Sequence, residues 1–477
     1  MIRRTLLTHA LGAAGLALLP GWLRAQSMDH SMHDMAGMAG MDHGMATALP
    51  LGLAPADALP RGAALAPLAK LHNHSAQPGL FQAELSAAAV QVELLPGQPT
   101  TFWAYNASIP GPLIEVHEGD RVQVRFINHL SQPSTLHWHG LPVPPEQDGN
   151  PHDPVPPGAE RTYSFNLPKG SAGTYWYHPH PHGHTAEQAF RGLAAPFIVR
   201  AAADPLAGIS ERHLLISDLK LNADGSIADN DANDWMNGRE GQFVLINGQH
   251  QPTLELHGAE RWRLWNACNA RYLRLNLGGH SFSLVGSDGG LLEQPQTMTE
   301  ILLAPAERIE IIVQPGSEKR QFALTAEIYE RHKMGKVAAE RVITLAQVSL
   351  AAGQPVNLPN KLREIVDLGP ATAQKRVVFS ENMRMSNGQH QMDFLVNDQR
   401  FDMQRVDLSS QLGEVEEWEL VNDSHMDHPF HIHGCQFQVL EYELDGVKTP
   451  APYRAWKDTI NLRPRQTIRV KMAQPFK

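Results

Sequence analysis

The residues best placed to do chemistry are histidines in His-x-His pairs. One pair is His137-Trp-His139-Gly140, a second closes Gly173-Thr-Tyr-Trp-Tyr-His178-Pro-His180, and a third lies in His428-Pro-Phe-His431-Ile-His433-Gly434. In an extended strand the side chains at i and i+2 point to one face, so each pair delivers two imidazoles to one side of a sheet. Neutral imidazole binds copper, zinc, iron and nickel, so the pairs imply a transition metal without choosing one. Six imidazoles exceed what one tetrahedral ion takes, which points to a multinuclear site.

A weak internal repeat supplies the elements that must hold these pairs. The first copy runs from Asn106 through Val122–Asn128 to His137-Trp-His139. The second runs from Asn247-Gly248 through Trp262–Asn266 to Leu275-Asn-Leu277, and the third from Asn397-Asp398 through Trp418–Asn422 to His431-Ile-His433. In all three, the second Asn precedes the first member of the pair by nine residues. The middle copy has Leu where the others have His. Three related β units are therefore expected, two keeping metal ligands on one strand and the middle one placing core residues there. The site should then be shared between the first and third units. Alternating stretches such as Arg121-Val-Gln-Val-Arg-Phe and Arg308-Ile-Glu-Ile-Ile-Val, separated by Pro and Gly loops, predict an all-β chain of antiparallel sandwiches or barrels. Domain boundaries fall near 205 and 360, giving 76–205, 206–360 and 361–477.

The chain has 477 residues and a formal charge of −10. With no basic stripe, nucleic acid is excluded as the expected partner, and a small molecule or metal remains. Residues 1–26 read as an export leader, with Arg3-Arg4 before an apolar run shorter than the ~20 residues of a membrane span. Residues 27–75 read as unfolded. Met28, His30, Met32, His33, Met35, Met38, Met41, His43 and Met45 crowd its start, and thioethers select Cu(I), so this stretch reads as a copper-collecting tail. Cys268 and Cys435 are too few for a disulfide framework.

Together the motifs His-Trp-His-Gly, Gly-Thr-Tyr-Trp-Tyr-His-Pro-His and His-Pro-Phe-His-Ile-His-Gly resemble those of the multicopper oxidases, over about residues 76–477. The resemblance implies three tandem cupredoxin-like domains and type 1, type 2 and binuclear type 3 copper. It matches His137 and His431 to type 2 ligands and His139, His178, His180 and His433 to type 3 ligands. His428 matches one type 1 ligand, and Asp148 an acid that relays protons beside the cluster. A plain turn aspartate is the other reading of Asp148. His182 and His184 match no ligand and read as loop residues. The adjacent arginines resemble a twin-arginine signal, which implies export, already folded, to a bacterial periplasm.

The closing His-Cys-His-x3-His-x4-Met segment of the family does not occur before Lys477, and with it the type 1 Cys, a second type 1 His, two type 3 His and the axial Met. Cys435 is expected to be a small buried residue instead. Either the sequence is part of a competent oxidase, or it is a truncated, non-catalytic periplasmic copper-binding protein. The expected activity is one-electron oxidation of Cu(I) or a phenolic donor coupled to reduction of O2 to water, in copper tolerance. Met383, Met385, Met392, Met403 and Met426 read either as a soft path for Cu(I) or as core filler.

Overall fold

The computed structural model describes residues 52–386 and 389–475; the leader and the Met/His-rich stretch to residue 51 lie outside them. The regular structure of the described chain is nearly all strand, arranged as three double-sheet units. In the first unit, Gln98–Tyr105, Leu80–Leu95, Arg121–Asn128 and Glu160–Asn166 form one sheet, and Ile114–His117, Ala195–Arg200, Gly173–His178 and His137–His139 the other. The second unit pairs a seven-stranded with a five-stranded sheet, and the third a six-stranded with a two-stranded sheet.

The repeat is a repeat of hydrogen bonds. Each unit sets two strands parallel: Leu80–Leu95 with Arg121–Asn128, Ser210–Leu219 with Glu260–Asn266, and Ala373–Ser386 with Val415–Asp423. Asn106, Asn247 and Asn397 sit at φ of 46°, 52° and 50°, a left-handed conformation that asparagine tolerates. Their Oδ1 atoms accept the N–H groups of Ser86, Leu215 and Val378, and their Nδ2 groups donate to the carbonyls of Glu84, His213 and Arg376. The second marker, Asn128, Asn266 or Asn422, is buried in every unit. Each accepts an N–H from two residues on, at Leu130, Cys268 and Ser424. Each also donates to two carbonyls, Gln132 and Val155, Arg271 and Leu303, or Met426 and Leu462. The loop that leaves this Asn is therefore fixed at both ends, and nine residues later the chain arrives at the same place in each unit.

At that place the middle unit has Leu275 and Leu277, both buried in its core with Leu273 and Leu303. Alternation in Arg121–Asn128 gives the half-buried strand expected. Arg308–Val313 is buried along its whole length, because its charged face lies against the first unit, where Glu310 accepts a hydrogen bond from Thr174. One expectation is corrected: residues 52–75 are not unfolded. Ala54 and Leu59 are buried against Leu219, Leu221 and Phe243, and backbone bridges tie Leu53 to Asn222, Ala64 to Thr253 and Lys70 to Leu113. Pairing onto existing strands needs neither a period nor a core of its own, so the segment carried no periodic signal. Among the described residues no helix is long and apolar enough to cross a membrane.

Candidate metal centre

Six imidazoles converge where the first and third units meet. His137–His139 pairs with Gly173–His178, which sets His137 opposite His178. His428–His431 pairs with Thr459–Leu462 in the third unit. Across the junction, the His137 ring stacks on that of His433 with centroids 3.9 Å apart, and His139 stacks on His431 at 3.7 Å. His178 and His180 lie 5.1 and 5.5 Å from His137, and His180 is 4.9 Å from His433. All six expected cluster histidines are thus brought together. The expected placement of each pair on one strand holds only for the first: strands end at His178 and His431, and His180 and His433 reach the site from the loops beyond. Prolines and bends break the ladder there, yet both rings still face inward.

The outer hydrogen bonds assign the tautomers. His137 Nδ1–H donates to the carbonyl and carboxylate of Asp148, both at 3.1 Å, and leaves Nε2 buried without a partner among the described residues. His431 Nδ1–H donates to the Asp458 carbonyl at 2.8 Å, and its Nε2 is likewise unpartnered. His178 Nδ1–H donates to the Pro179 carbonyl, and His139 Nε2–H to Asp458 and Thr459. That leaves the bare Nε2 of His178 and Nδ1 of His139 facing each other at 3.3 Å. Two lone pairs at this distance repel unless a cation lies beside them. Buried, unpartnered imidazole nitrogens fit a borderline-soft metal such as copper.

Burial sets the charge state of these rings. It outweighs the Asp148 carboxylate and holds His137 down to about 4. Burial, with His137 and His433 beside it, brings His180 to about 3, and burial keeps His139 and His178 well below the ordinary histidine value. At neutral pH these four rings are therefore neutral and able to bind metal.

Asp148 bridges the units. Its Oδ1 lies 3.1 Å from His137 Nδ1 and its Oδ2 3.1 Å from His433 Nδ1. Burial would raise its pKa, but the two imidazoles outweigh burial and keep it ionised well below the usual carboxylate range. The turn reading is also correct in geometry, since Asp148 ends the helical turn Pro145–Gln147. Gly149, at φ 65°, then passes so close to the Leu136 carbonyl that a Cβ could not fit.

Sequence reasoning missed Asp458 and Arg308. Asp458 is fully buried, accepts from His139 and Thr459, and forms a two-pronged ion pair with Arg308 of the middle unit, 2.7 Å on the Nη1 side. A Cβ at Gly140 would fall on this pair. The only signal available was Lys457-Asp458-Thr459, a charged run entering an apolar strand. Trp176 was also missed as a wall of the site, 4.3 Å from His178 and 5.0 Å from His139.

His428 stands apart. Three residues before His431 it takes the opposite face of the strand, stacks on Phe379 at 5.8 Å, and lines a cleft of about 610 Å³ with Trp235, Met426 and Phe401. Burial lowers its pKa. His182 lies beside Phe401 at 5.2 Å and His184 caps the helix Thr185–Phe190, outside the cluster. Cys435 is buried 4.0 Å from the Met472 sulfur, and burial pushes its thiol up to about 12.

Three family profiles described as multicopper oxidase match residues 86–204, 216–348 and 373–476. The chain is similar to the multicopper oxidase mco of Staphylococcus haemolyticus, 32% identical over 77% of each chain. Among solved structures it resembles a multicopper oxidase of Campylobacter jejuni described as a metallo-oxidase, at 43% identity, TM-score 0.86, 89% of this chain and 92% of that one. It is also similar to the cell division protein FtsP of Photorhabdus laumondii, 29% identical over 79% of this chain and 80% of that one.

Proposed function

Because the chain belongs to the multicopper oxidase family, we propose that it couples one-electron oxidation of Cu(I) or a phenolic donor to the reduction of O2 to water. The observation that carries this reading is the set of six converging imidazoles with buried, unpartnered ring nitrogens. In it, His137 and His431 hold one copper, and His139, His178, His180 and His433 hold the adjacent pair. Copper, when bound, supplies the one-electron steps that link the donor to O2. The protein keeps four of these rings neutral by burial and orients His137, His139, His178 and His431 through Asp148, Asp458 and the Pro179 carbonyl. Asp148 touches rings of both units and stays ionised, so in proton relay it orients the ring N–H groups and water beside the site. His428 lines a cleft, and a donor bound there meets the strand that also carries His431.

We place the protein in the periplasm, after export through its Arg3-Arg4 leader, and assign it to copper tolerance. The Met/His-rich stretch at 28–45 supports that role. A second reading, a copper-binding protein without turnover, is kept because one similar protein is named for cell division and not for oxidation. The test is O2 uptake by copper-loaded protein with Cu(I) or a methoxyphenol as donor. The oxidase reading requires uptake that His137→Ala and His431→Ala abolish together with bound copper; full copper loading without uptake selects the second reading.

A further inference from the structure

The loop that ends at Asp458 belongs to the third unit yet is held by the middle one. Residues 451–458 join the edge strand Val447–Pro450 to Thr459–Leu462, the strand paired with His428–His431. Tyr453 packs against the middle unit's core, and Ala455 is buried within it. The Trp456 carbonyl then accepts the Gly289 N–H at 2.9 Å and the Ser287 hydroxyl at 3.0 Å. A Cβ at Gly289 would fall on Trp456, so the two segments touch as closely as glycine permits.

Lys457 is fixed from both units at once. Within the third unit, its N–H donates to the Phe437 carbonyl at 2.9 Å and its carbonyl accepts the Phe437 N–H at 2.7 Å. Its ammonium reaches into the middle unit, 2.9 Å from Asp288 Oδ2 and 3.2 Å from Glu307 Oε1. Both carboxylates are already anchored there: Asp288 accepts the Arg308 N–H at 2.8 Å, and Glu307 accepts the Ala304 N–H at 2.7 Å. Burial would lower the Lys457 pKa, but Asp288 and Glu307 outweigh burial and keep the ammonium charged. A mostly buried charge is stable only beside such partners, so Lys457 has one place to dock. The next residue is Asp458. Its carbonyl accepts His431 Nδ1–H at 2.8 Å and the Ile432 N–H at 3.2 Å, and its carboxylate accepts His139 Nε2–H. Any slide of Lys457 along the middle unit therefore moves the outer partner of one ring in the first unit and one in the third.

We infer that Lys457 is a positioning residue of the histidine centre. Docked between Asp288 and Glu307, it lets the middle unit, which has Leu275 and Leu277 in place of a histidine pair, set where Asp458 holds His139 and His431. The inference rests on the proposed function for copper as the metal, and on the loop alone for the clamp. Three carboxylates, Asp288, Glu307 and Asp458, face two cations, Arg308 and Lys457, and this excess of one negative charge supplies a control. Lys457→Met leaves three carboxylates against one cation. Adding Glu307→Gln restores the original excess without restoring the clamp.

The test loads full-length protein with Cu(II) and measures copper affinity by chelator competition, well below the melting temperature of every variant, so that only folded protein competes. Electron paramagnetic resonance of the bound Cu(II) and thermal melts of the metal-free protein accompany it. Lys457→Met should lose both melting temperature and copper affinity. Lys457→Met with Glu307→Gln should regain most of the melting temperature, yet bind copper about tenfold or more weakly than the parent and show a changed Cu(II) hyperfine splitting. Lys457→Arg, which keeps the charge, should lie closer to the parent in affinity than either. A double variant whose affinity and spectrum return with its melting temperature would overturn the inference, because Lys457 would then act through stability alone. So would parental affinity in Lys457→Met. O2 uptake by the same samples reports separately: a parent that binds copper without uptake, and loses affinity in the double variant, would remove the oxidase reading and keep the clamp.

Discussion

Replacing Asp458 by Asn removes the charge from a carboxylate that serves both the middle unit and the histidine cluster. Asp458 is fully buried, carries the fully buried Arg308 through both guanidinium nitrogens, and receives His139 Nε2–H at 3.2 Å. Without it, Arg308 keeps the carbonyls of Thr174, Ala306 and Asp288, and its nearest remaining carboxylate oxygen, on Asp288, is 3.6 Å away. Breaking a buried pair by removing one partner costs about 3–5 kcal/mol, and the remaining Asp288 argues for about 3. For a unit of this size that is a fall in melting temperature of about 6–12 °C. Because the same change loosens the outer partner of His139, copper affinity should also fall by about 10–100-fold. Differential scanning calorimetry of the metal-free protein, followed by chelator competition for copper, measures the two effects separately. Arg308→Met combined with Asp458→Asn removes the stranded charge, so the double variant should be more stable than the sum of the single losses by about 1–3 kcal/mol. Additive losses, or copper affinity unchanged in Asp458→Asn, would refute the idea that this ion pair holds the site.

Other outcomes follow from the same structure. His137 is held at about 4 when folded against about 6.5 unfolded, so the unfolded chain takes up more protons as pH falls. The stability this ring contributes is complete above pH 6.5 and is lost as pH drops towards 4, by about 3 kcal/mol in metal-free protein, checked by denaturant melts across that range. Asn422→Ala strips three backbone groups of the third unit of their partner and should cost about 2–4 kcal/mol, as should Asn128→Ala in the first, measured by the same melts. Gly149→Ala meets the Leu136 carbonyl and should displace Asp148 from His137 and His433, lowering copper retention more than stability. Deleting residues 27–45 should lower copper stoichiometry without lowering the affinity of the six-histidine centre, read by metal analysis after dialysis.

Much of this was legible in the sequence for a specific reason. Asn128, Asn266 and Asn422 fix the loop leaving them by bonds within a few residues, so their nine-residue spacing to His137, Leu275 and His431 is a local code. The leucines of the middle unit then point to the first and third units as those whose histidine pairs converge. Asp458 and Arg308 were not legible, because their partnership spans 150 residues and no local pattern distinguishes a buried ion pair from a surface one. The exposure of Met383 and Met385 was hidden for the opposite reason. A strand that projects past its core keeps the same alternation as one inside it, so period alone cannot tell a solvent-facing thioether from a packed one. Residues 52–75 were misread because a segment that borrows its backbone partners from other strands needs no pattern of its own.

The central claim is that the six imidazoles at the junction of the first and third units form a copper centre that reduces O2 to water. Its most direct measurement is the electron count of the copper-loaded protein: donor oxidised per O2 consumed, with peroxide assayed in the same vessel. The account predicts four donor equivalents per O2 and no peroxide, with both uptake and copper lost in His137→Ala. Protein that holds copper at these histidines yet consumes no O2, or that releases peroxide at two equivalents per O2, would contradict it.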